Sequence, residues 1–218
     1  MAPKELSDDE LLKIVNEAWD EAWEIVNSED GWKEEKKSEQ GDVVVSKKNK
    51  KGKKIYRVKA KMEIAPAKLI EHLKDTEKMC EWNTTLTEHK LLRKLNDKVA
   101  ISYQVTAAGG PNGVVSARDF IFIFKNEYKG DAYVQGGCSV DIPGPKSSKV
   151  VRAWNGPGAQ IVRPIPGKDN ECEFIWLMDC EYKGWIPSSI LDLAMPVAQL
   201  QFVDCVRKLA KDIKEGKK

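Results

Sequence analysis

Arg118-Asp119-Phe120-Ile121-Phe122-Ile123-Phe124 decides the fold. As a β-strand its side chains alternate, so Arg118 shares a face with Phe120, Phe122 and Phe124, while Asp119, Ile121 and Ile123 point the other way. Both faces are apolar, which places the strand between two packed layers. A guanidinium among three phenyl rings is costly to bury unless it is paired and hydrogen-bonded. The Arg118 end therefore either reaches water or serves an enclosed polar site.

Upstream, residues 107–117 are rich in Gly and Pro. Gly109-Gly110-Pro111-Asn112-Gly113 leads into a strand, not a helix N-terminus, so it lacks the amide cradle of a phosphate site and is expected to be a mobile loop. Before it, residues 86–94 and 98–107 read as a hairpin around the turn signal Asn96-Asp97. On its second strand Ile101, Tyr103 and Val105 alternate with Ser102, Gln104 and Thr106, a side made of neutral polar groups. Downstream, residues 131–139, 149–155 and 159–164 read as strands. Residues 171–182 put Cys172, Phe174, Trp176, Met178 and Cys180 on one soft, aromatic face, suited to ordinary core or to the wall of an apolar cavity.

The flanks supply helices. Ser7-Asp8-Asp9-Glu10 is a capping box ahead of apolar residues at helical spacing, which predicts a helix over 8–27 whose Trp19 and Trp23 pack on a sheet. Residues 32–37, 42–48 and 53–64 read as strands. The third has Tyr56, Val58, Ala60, Met62 and Ile64 on a buried face and Arg57, Lys59, Lys61 and Glu63 on a wet one. The lysines of 47–54 surround a turn at Asn49 and Gly52, where they guard a strand edge or, alternatively, attract an anionic membrane. Pro66 opens a short helix extending toward Lys78. From Pro187, Ile190, Leu193, Val197, Leu200, Val203 and Val206 recur every three or four residues, a closing helix of about 25 residues and about 40 Å, kinked at Pro196. Three helices and about nine mainly hairpin-connected strands make an α+β fold, a curved antiparallel sheet gripping a long helix.

The chain has 218 residues with Lys+Arg 36 against Asp+Glu 34, a net charge of +2. That length suits one domain, 1–218, with its core over about 11–209. The charge is too small to imply a nucleic-acid partner. Five scattered cysteines without a C-x-x-C pair fit reduced thiols and no zinc site. Met1 to Ser7 carries no basic segment followed by an apolar run, and no window approaches 18 consecutive apolar residues. Neither signal peptide nor transmembrane helix is expected, and the protein is expected to be cytoplasmic and monomeric. Catalytic signatures are few: His72 and His89 are isolated, and G-x-S-x-G, H-E-x-x-H, Walker and G-x-G-x-x-G patterns are absent. Much two-sided apolar strand with few reactive groups favours a binding protein for an apolar small molecule, oriented by Arg118.

Gly31-Trp32-Lys33 with Gly41-Asp42-Val43-Val44, Glu81-Trp82-Asn83, Ala117-Arg118-Asp119-Phe120, Val151-Arg152-Ala153 with Gly156-Pro157, and Lys183-Gly184-Trp185-Ile186-Pro187-Ser188-Ser189-Ile190 occur in this order. Together the set resembles the START domain, the steroidogenic acute regulatory protein-related lipid-transfer family, and most closely its sterol- and carotenoid-binding branch. The resemblance implies a helix-grip fold whose C-terminal helix closes over a tunnel for one lipid. It also implies a buried pair, near a sterol hydroxyl, between the Arg matched by Arg118 and an acid on the preceding hairpin. The nearest acid is Asp97, offset by one residue, and Gln104 stands where related chains carry a glutamate. Met79 and Asn83 match cavity-lining positions, Asn155 replaces a histidine, and Phe202 matches an aromatic of the lid helix. With Phe120, Phe122, Trp176, Leu193 and Val197 these complete the candidate ligand-binding set. No catalytic residue, metal ligand or cofactor is expected apart from the bound lipid, a sterol or a carotenoid. The expected activity is non-enzymatic carriage between membranes, with transient contact at the membrane surface. The alternatives are a regulatory lipid-sensing domain, a carrier of another apolar lipid such as a phospholipid, and an enzyme built on this fold.

Overall fold

In the computed structural model, residues 5–109, 115–146 and 150–217 are described. Helix α1, Asp8–Asn27, begins at the capping box: the Glu10 amide donates to Ser7 Oγ, and the Ser7 amide donates to the Glu10 carboxylate. Strands β1 (Lys33–Lys37), β2 (Val43–Lys48) and β3 (Lys54–Met62) follow, then α2 (Pro66–Lys74) with Pro66 in its first turn. The middle helix stops at Lys74 instead of reaching Lys78. A 3-10 turn, Thr76–Lys78, and a one-turn helix α3, Met79–Trp82, replace its end.

Strands β4 (Leu86–Lys94), β5 (Val99–Thr106), β6 (Arg118–Lys129) and β7 (Ala132–Ser139) form an antiparallel meander. The expected strand at 149–155 is two short ones, β8 (Val151–Arg152) and β9 (Trp154–Asn155), with residue 149 outside the described set. After β10 (Gly158–Ile165) comes β11 (Lys168–Met178). It ends at Met178, so the expected continuation to 182 is a separate short strand, β12 (Cys180–Glu181), paired with β9. The chain closes with α4, Ser188–Lys214, continuous through Pro196. The main sheet runs β1-β2-β3-β11-β10-β7-β6-β5-β4, with β8 joined in parallel to β6. This is the helix-grip α+β fold expected from the sequence.

The two faces of β6 do what their alternation predicts. Ile121 and Ile123 pack with Leu11, Val15 and Ala18 of α1, while Phe120, Phe122 and Phe124 face a cavity on the α4 side. Trp19 is buried, and its indole N–H points to the Val134 carbonyl at 3.5 Å. The wet face of β3 departs from expectation at Arg57, which is buried. Its guanidinium donates to the Val26 carbonyl at the C-terminal end of α1 (2.7 Å) and to Glu29 (3.2 Å), and it lies over the Trp32 ring. A helix C-terminus favours such a cation. The lysine hairpin joins β2 to β3 one strand in from the edge, and Lys50, Lys53 and Lys54 pair with Glu21, Glu181 and Glu35. The edge strand β1 is itself almost entirely charged, which disfavours further strand pairing. By length and composition α4 could cross a membrane, but Phe202, Val203, Val206 and Leu209 are buried in the core.

The segment returning to β6 is fastened by charge. Asp119 is 1% exposed. Arg152 donates to both its carboxylate oxygens, at 2.9 and 3.0 Å, and the Tyr103 hydroxyl adds a third bond at 3.2 Å. Burial, with Asp119 alongside, pushes the Tyr103 phenol up to about 12. Removing one partner of a buried pair strands the other charge, so Arg152→Ala should lower unfolding free energy by about 3 kcal/mol. Tyr103→Phe, which removes one hydrogen bond, should lower it by about 1 kcal/mol. Urea unfolding of both variants checks the order, and a loss under about 1 kcal/mol for Arg152→Ala would mean this pair does not hold the segment.

Candidate functional site

Between the sheet and α4 lies a cavity of about 670 Å³. Strand β6 contributes Arg118, Phe120, Phe122 and Phe124; β5 contributes Ser102, Gln104 and Thr106; β11 contributes Trp176 and Met178. Met79, Trp82 and Asn83 close one side from α3 and its C-terminal flank, and Met195, Ala198, Phe202 and Cys205 come from α4. From Arg118 to Phe124 along β6 is about 20 Å at strand spacing, enough for an elongated ligand. Aromatic packing fixes the wall: Phe202 lies 4.6 Å from Trp176 and 6.0 Å from Trp82, centroid to centroid.

Arg118 sits at one end, 3% exposed, in a cage of neutral acceptors. Its Nε donates to the Tyr182 carbonyl at 3.1 Å and Nη2 to the Lys183 carbonyl at 3.2 Å, while Nη1 donates to the Ser116 carbonyl and, at 2.7 Å, to Ser116 Oγ. Its backbone N–H donates to Thr106 Oγ1 at 3.1 Å. Burial is the main cause that draws its proton affinity below the ordinary arginine value. The turn that supplies the carbonyls is unusual: Lys183, a non-glycine residue, has φ 46 and Gly184 follows at φ 73. Left-handed backbone at Lys183 is a cost that the Arg118 bonds help offset.

The structure brings together Arg118, Met79, Asn83, Gln104, Phe120, Phe122, Asn155, Trp176 and Phe202, all on the cavity wall. Asn83 arrives with its carbonyl oxygen already engaged, accepting from the Thr85 amide and hydroxyl. Three expected residues fall elsewhere. Asp97 is exposed in the β4–β5 turn and away from Arg118, so it is not the acid partner. Leu193 is 69% and Val197 38% exposed on the outer side of α4. In this first half of the helix the inner side is set by Ala194, Met195 and Gln199, about one residue, roughly 100°, away from Leu193 and Val197, while Val203, Val206 and Leu209 are buried as their spacing predicts.

Ser116, Tyr182, Gln135, Gln160 and Met195 line the cavity without having been singled out from the sequence. Only Ser116, two residues before Arg118, offered a local signal. Of the glycine loop, residues 110–114 lie outside the described set; Gly109 and Val115 pair as an antiparallel bridge at its base.

The wall also carries His89, Asp179, Cys180 and Cys205. Burial depresses the His89 pKa and its Nδ1 has no partner. Burial pushes the Cys180 thiol up to about 12. Burial also raises Asp179, whose carboxylate accepts from Asn49. Cys205 Sγ lies 3.3 Å from Thr84 Oγ1. Among the described residues no base is hydrogen-bonded to a nucleophile here, and no group of three His, Cys, Asp or Glu side chains could hold a metal.

A START domain family model matches residues 15–211. The mitochondrial steroidogenic acute regulatory protein of Rattus norvegicus is 32% identical over 206 residues, 93% of this chain and 72% of that protein. The Xenopus laevis steroidogenic acute regulatory protein is 32% identical over 208 residues, 94% of this chain and 73% of that protein. Among solved structures, human StAR-related lipid transfer protein 5 superposes with a TM-score of 0.88 at 16% identity, covering 95% of this chain and 100% of that one. The Zhui aromatase/cyclase from Streptomyces sp. R1128 shares the fold more distantly, with a TM-score of 0.50 at 8% identity over 72% of this chain and 93% of that one. Sequence match across the core and an apolar cavity enclosed beneath the closing helix agree, and the chain belongs to the START family of lipid-binding and lipid-transfer domains.

Proposed function

We propose that the chain carries one sterol or carotenoid molecule between membranes without converting it. The observation that supports this is the cavity itself: about 670 Å³, walled by Phe120, Phe122, Phe124, Trp176 and Phe202, with one buried guanidinium at its end. An apolar volume with few, placed polar groups suits recognition of a rigid hydrophobic body by one polar end. A carotenoid is favoured by a second feature. Gln135 and Gln160 pair across β7 and β10 beside Trp176, toward the Phe124 end of the cavity, so both ends offer hydrogen bonds.

Exchange requires the wall to part. Arg118 joins β6 and Ser116 to the Tyr182–Lys183 turn that leads into α4, so movement of α4 from the sheet strains those bonds. Beside this joint Trp185 is 91% exposed, and the outward Leu193 and Val197 continue an apolar strip along α4. Tryptophan favours the membrane-water interface, and nearby lysines add weak attraction to anionic lipid. This strip is the proposed docking face.

Incubation with a carotenoid such as zeaxanthin should yield a coloured complex with a shifted visible absorption band after gel filtration. A colourless protein that instead retains dehydroergosterol identifies a sterol carrier. Arg118→Ala should weaken binding of the retained ligand about tenfold, the loss of one hydrogen bond to a charged group. Unchanged affinity in a fluorescence titration would remove Arg118 from the ligand's polar end. Trp185→Ser should slow transfer between anionic vesicles several-fold while leaving ligand affinity intact; undiminished transfer would move the docking face elsewhere.

A further inference from the structure

The charge of Arg118 is unneutralised by the protein. Each of its acceptors is a carbonyl or a hydroxyl, and the titratable groups that face it are Cys180 and Tyr182, both uncharged at neutral pH. No carboxylate pairs with it among the described residues, and residues 1–4, 110–114, 147–149 and 218 contain no Asp or Glu. Asp119, its sequence neighbour, is on the opposite face with Arg152. Asp179 on the cavity wall is held by Asn49 instead. A buried cation without a counter-charge is a standing cost that hydrogen bonds offset only in part, and it is relieved by any anion that reaches it.

The groups around it can donate. Gln104 stands on β5 two residues from Thr106, whose hydroxyl accepts the Arg118 backbone N–H, and it faces the cavity opposite Phe120 in the β5–β6 register. Among the described residues its side-chain amide makes no hydrogen bond. The Thr106 hydroxyl still has its proton to give, and four side-chain N–H bonds leave one of the five guanidinium hydrogens of Arg118 unspent. An anionic head accepts these bonds and also supplies the counter-charge that Arg118 lacks, which an alcohol cannot, and a charged acceptor forms the stronger bond.

We propose that the lipid this cavity selects carries a carboxylate head, seated at Arg118 with Gln104 beside it. The inference rests on the lipid-carrier reading and adds the chemistry of the head, leaving the skeleton open. Gln104→Glu should then place the counter-charge on the protein and remove the preference.

The test uses the intact chain at pH 8 and two probes with the same hydrocarbon, oleate and oleyl alcohol, each titrated directly and against dehydroergosterol. The wild type should bind oleate at least about tenfold tighter than the alcohol. In Gln104→Glu, checked for an unchanged melting transition, that ratio should fall to about threefold or less. A wild-type ratio below about threefold overturns the proposal, and so does a preference that persists in the variant. If Gln104→Glu does not fold, the wild-type ratio decides alone. Sterol or alcohol binding without an oleate advantage refutes the carboxylate head and spares the carrier reading; binding of none of the three probes refutes the carboxylate head, and a colourless protein after zeaxanthin incubation as well refutes the carrier reading.

Discussion

The cage around Arg118 ties together parts of the chain that have no other reason to meet. Four side-chain hydrogen bonds reach Ser116, two residues before it, and Tyr182 and Lys183, more than sixty residues after it. Through them the first residue of β6 fixes the end of the glycine loop and the turn from which α4 departs. The angle at which α4 crosses the sheet, and hence the roof of the cavity, depends on that turn. Lys183 is held in left-handed backbone there, a conformation that needs surrounding bonds to persist.

The remainder of the fold distributes burial around this fixed point. Strand β6 divides the interior, with one core under α1 and another under α4, because its two faces are both apolar. The α1 side is filled mainly by aliphatic side chains, with Trp19 and Tyr103 among them. On the α4 side larger phenyl and indole rings, some packed against one another as Phe202 is on Trp176, wall a void. Interiors ordinarily pack to crystal-like density, so a void of this size is retained for an occupant.

How much of this could be read from residues alone follows from the range of the interactions. Period-two alternation in β5, β6 and β11, the capping box at Ser7 and the turn at Asn96 are local, and each produced the element it signalled. In the first half of α4 the buried residues are Ala194 and Gln199, although Leu193 and Val197 are more apolar; farther along, Val203, Val206 and Leu209 are buried as their spacing predicts. Gln199 is tolerated inside because its amide donates to the Trp176 carbonyl. Hydropathy cannot see a bond to a backbone group on another strand. The same holds for the partner of Arg118: the resemblance implies an acid, and Asp97 is the nearest, whereas the acceptors are the Ser116 hydroxyl and main-chain carbonyls, which every residue possesses and no sequence marks. Arg57 was assigned to water for a like reason, its acceptor being the end of α1.

Arg118 and Asp119 make the sharpest contrast in the molecule. They are adjacent, of opposite charge, and buried to nearly the same degree, 3% and 1% exposed. The strand turns them to opposite faces, so they cannot neutralise one another. Asp119 faces packed core and the protein supplies its counter-ion, Arg152, together with a phenolic hydroxyl. Arg118 faces the cavity and is given hydrogen bonds but no counter-ion. Where nothing enters, the charge is closed by the chain; where a ligand enters, it is left open. Had burial alone governed the pair, both faces would need a partner, since desolvation penalises a cation and an anion alike. The asymmetry therefore belongs to the cavity, whose apolar wall carries at the Arg118 end a charge that the chain leaves unbalanced.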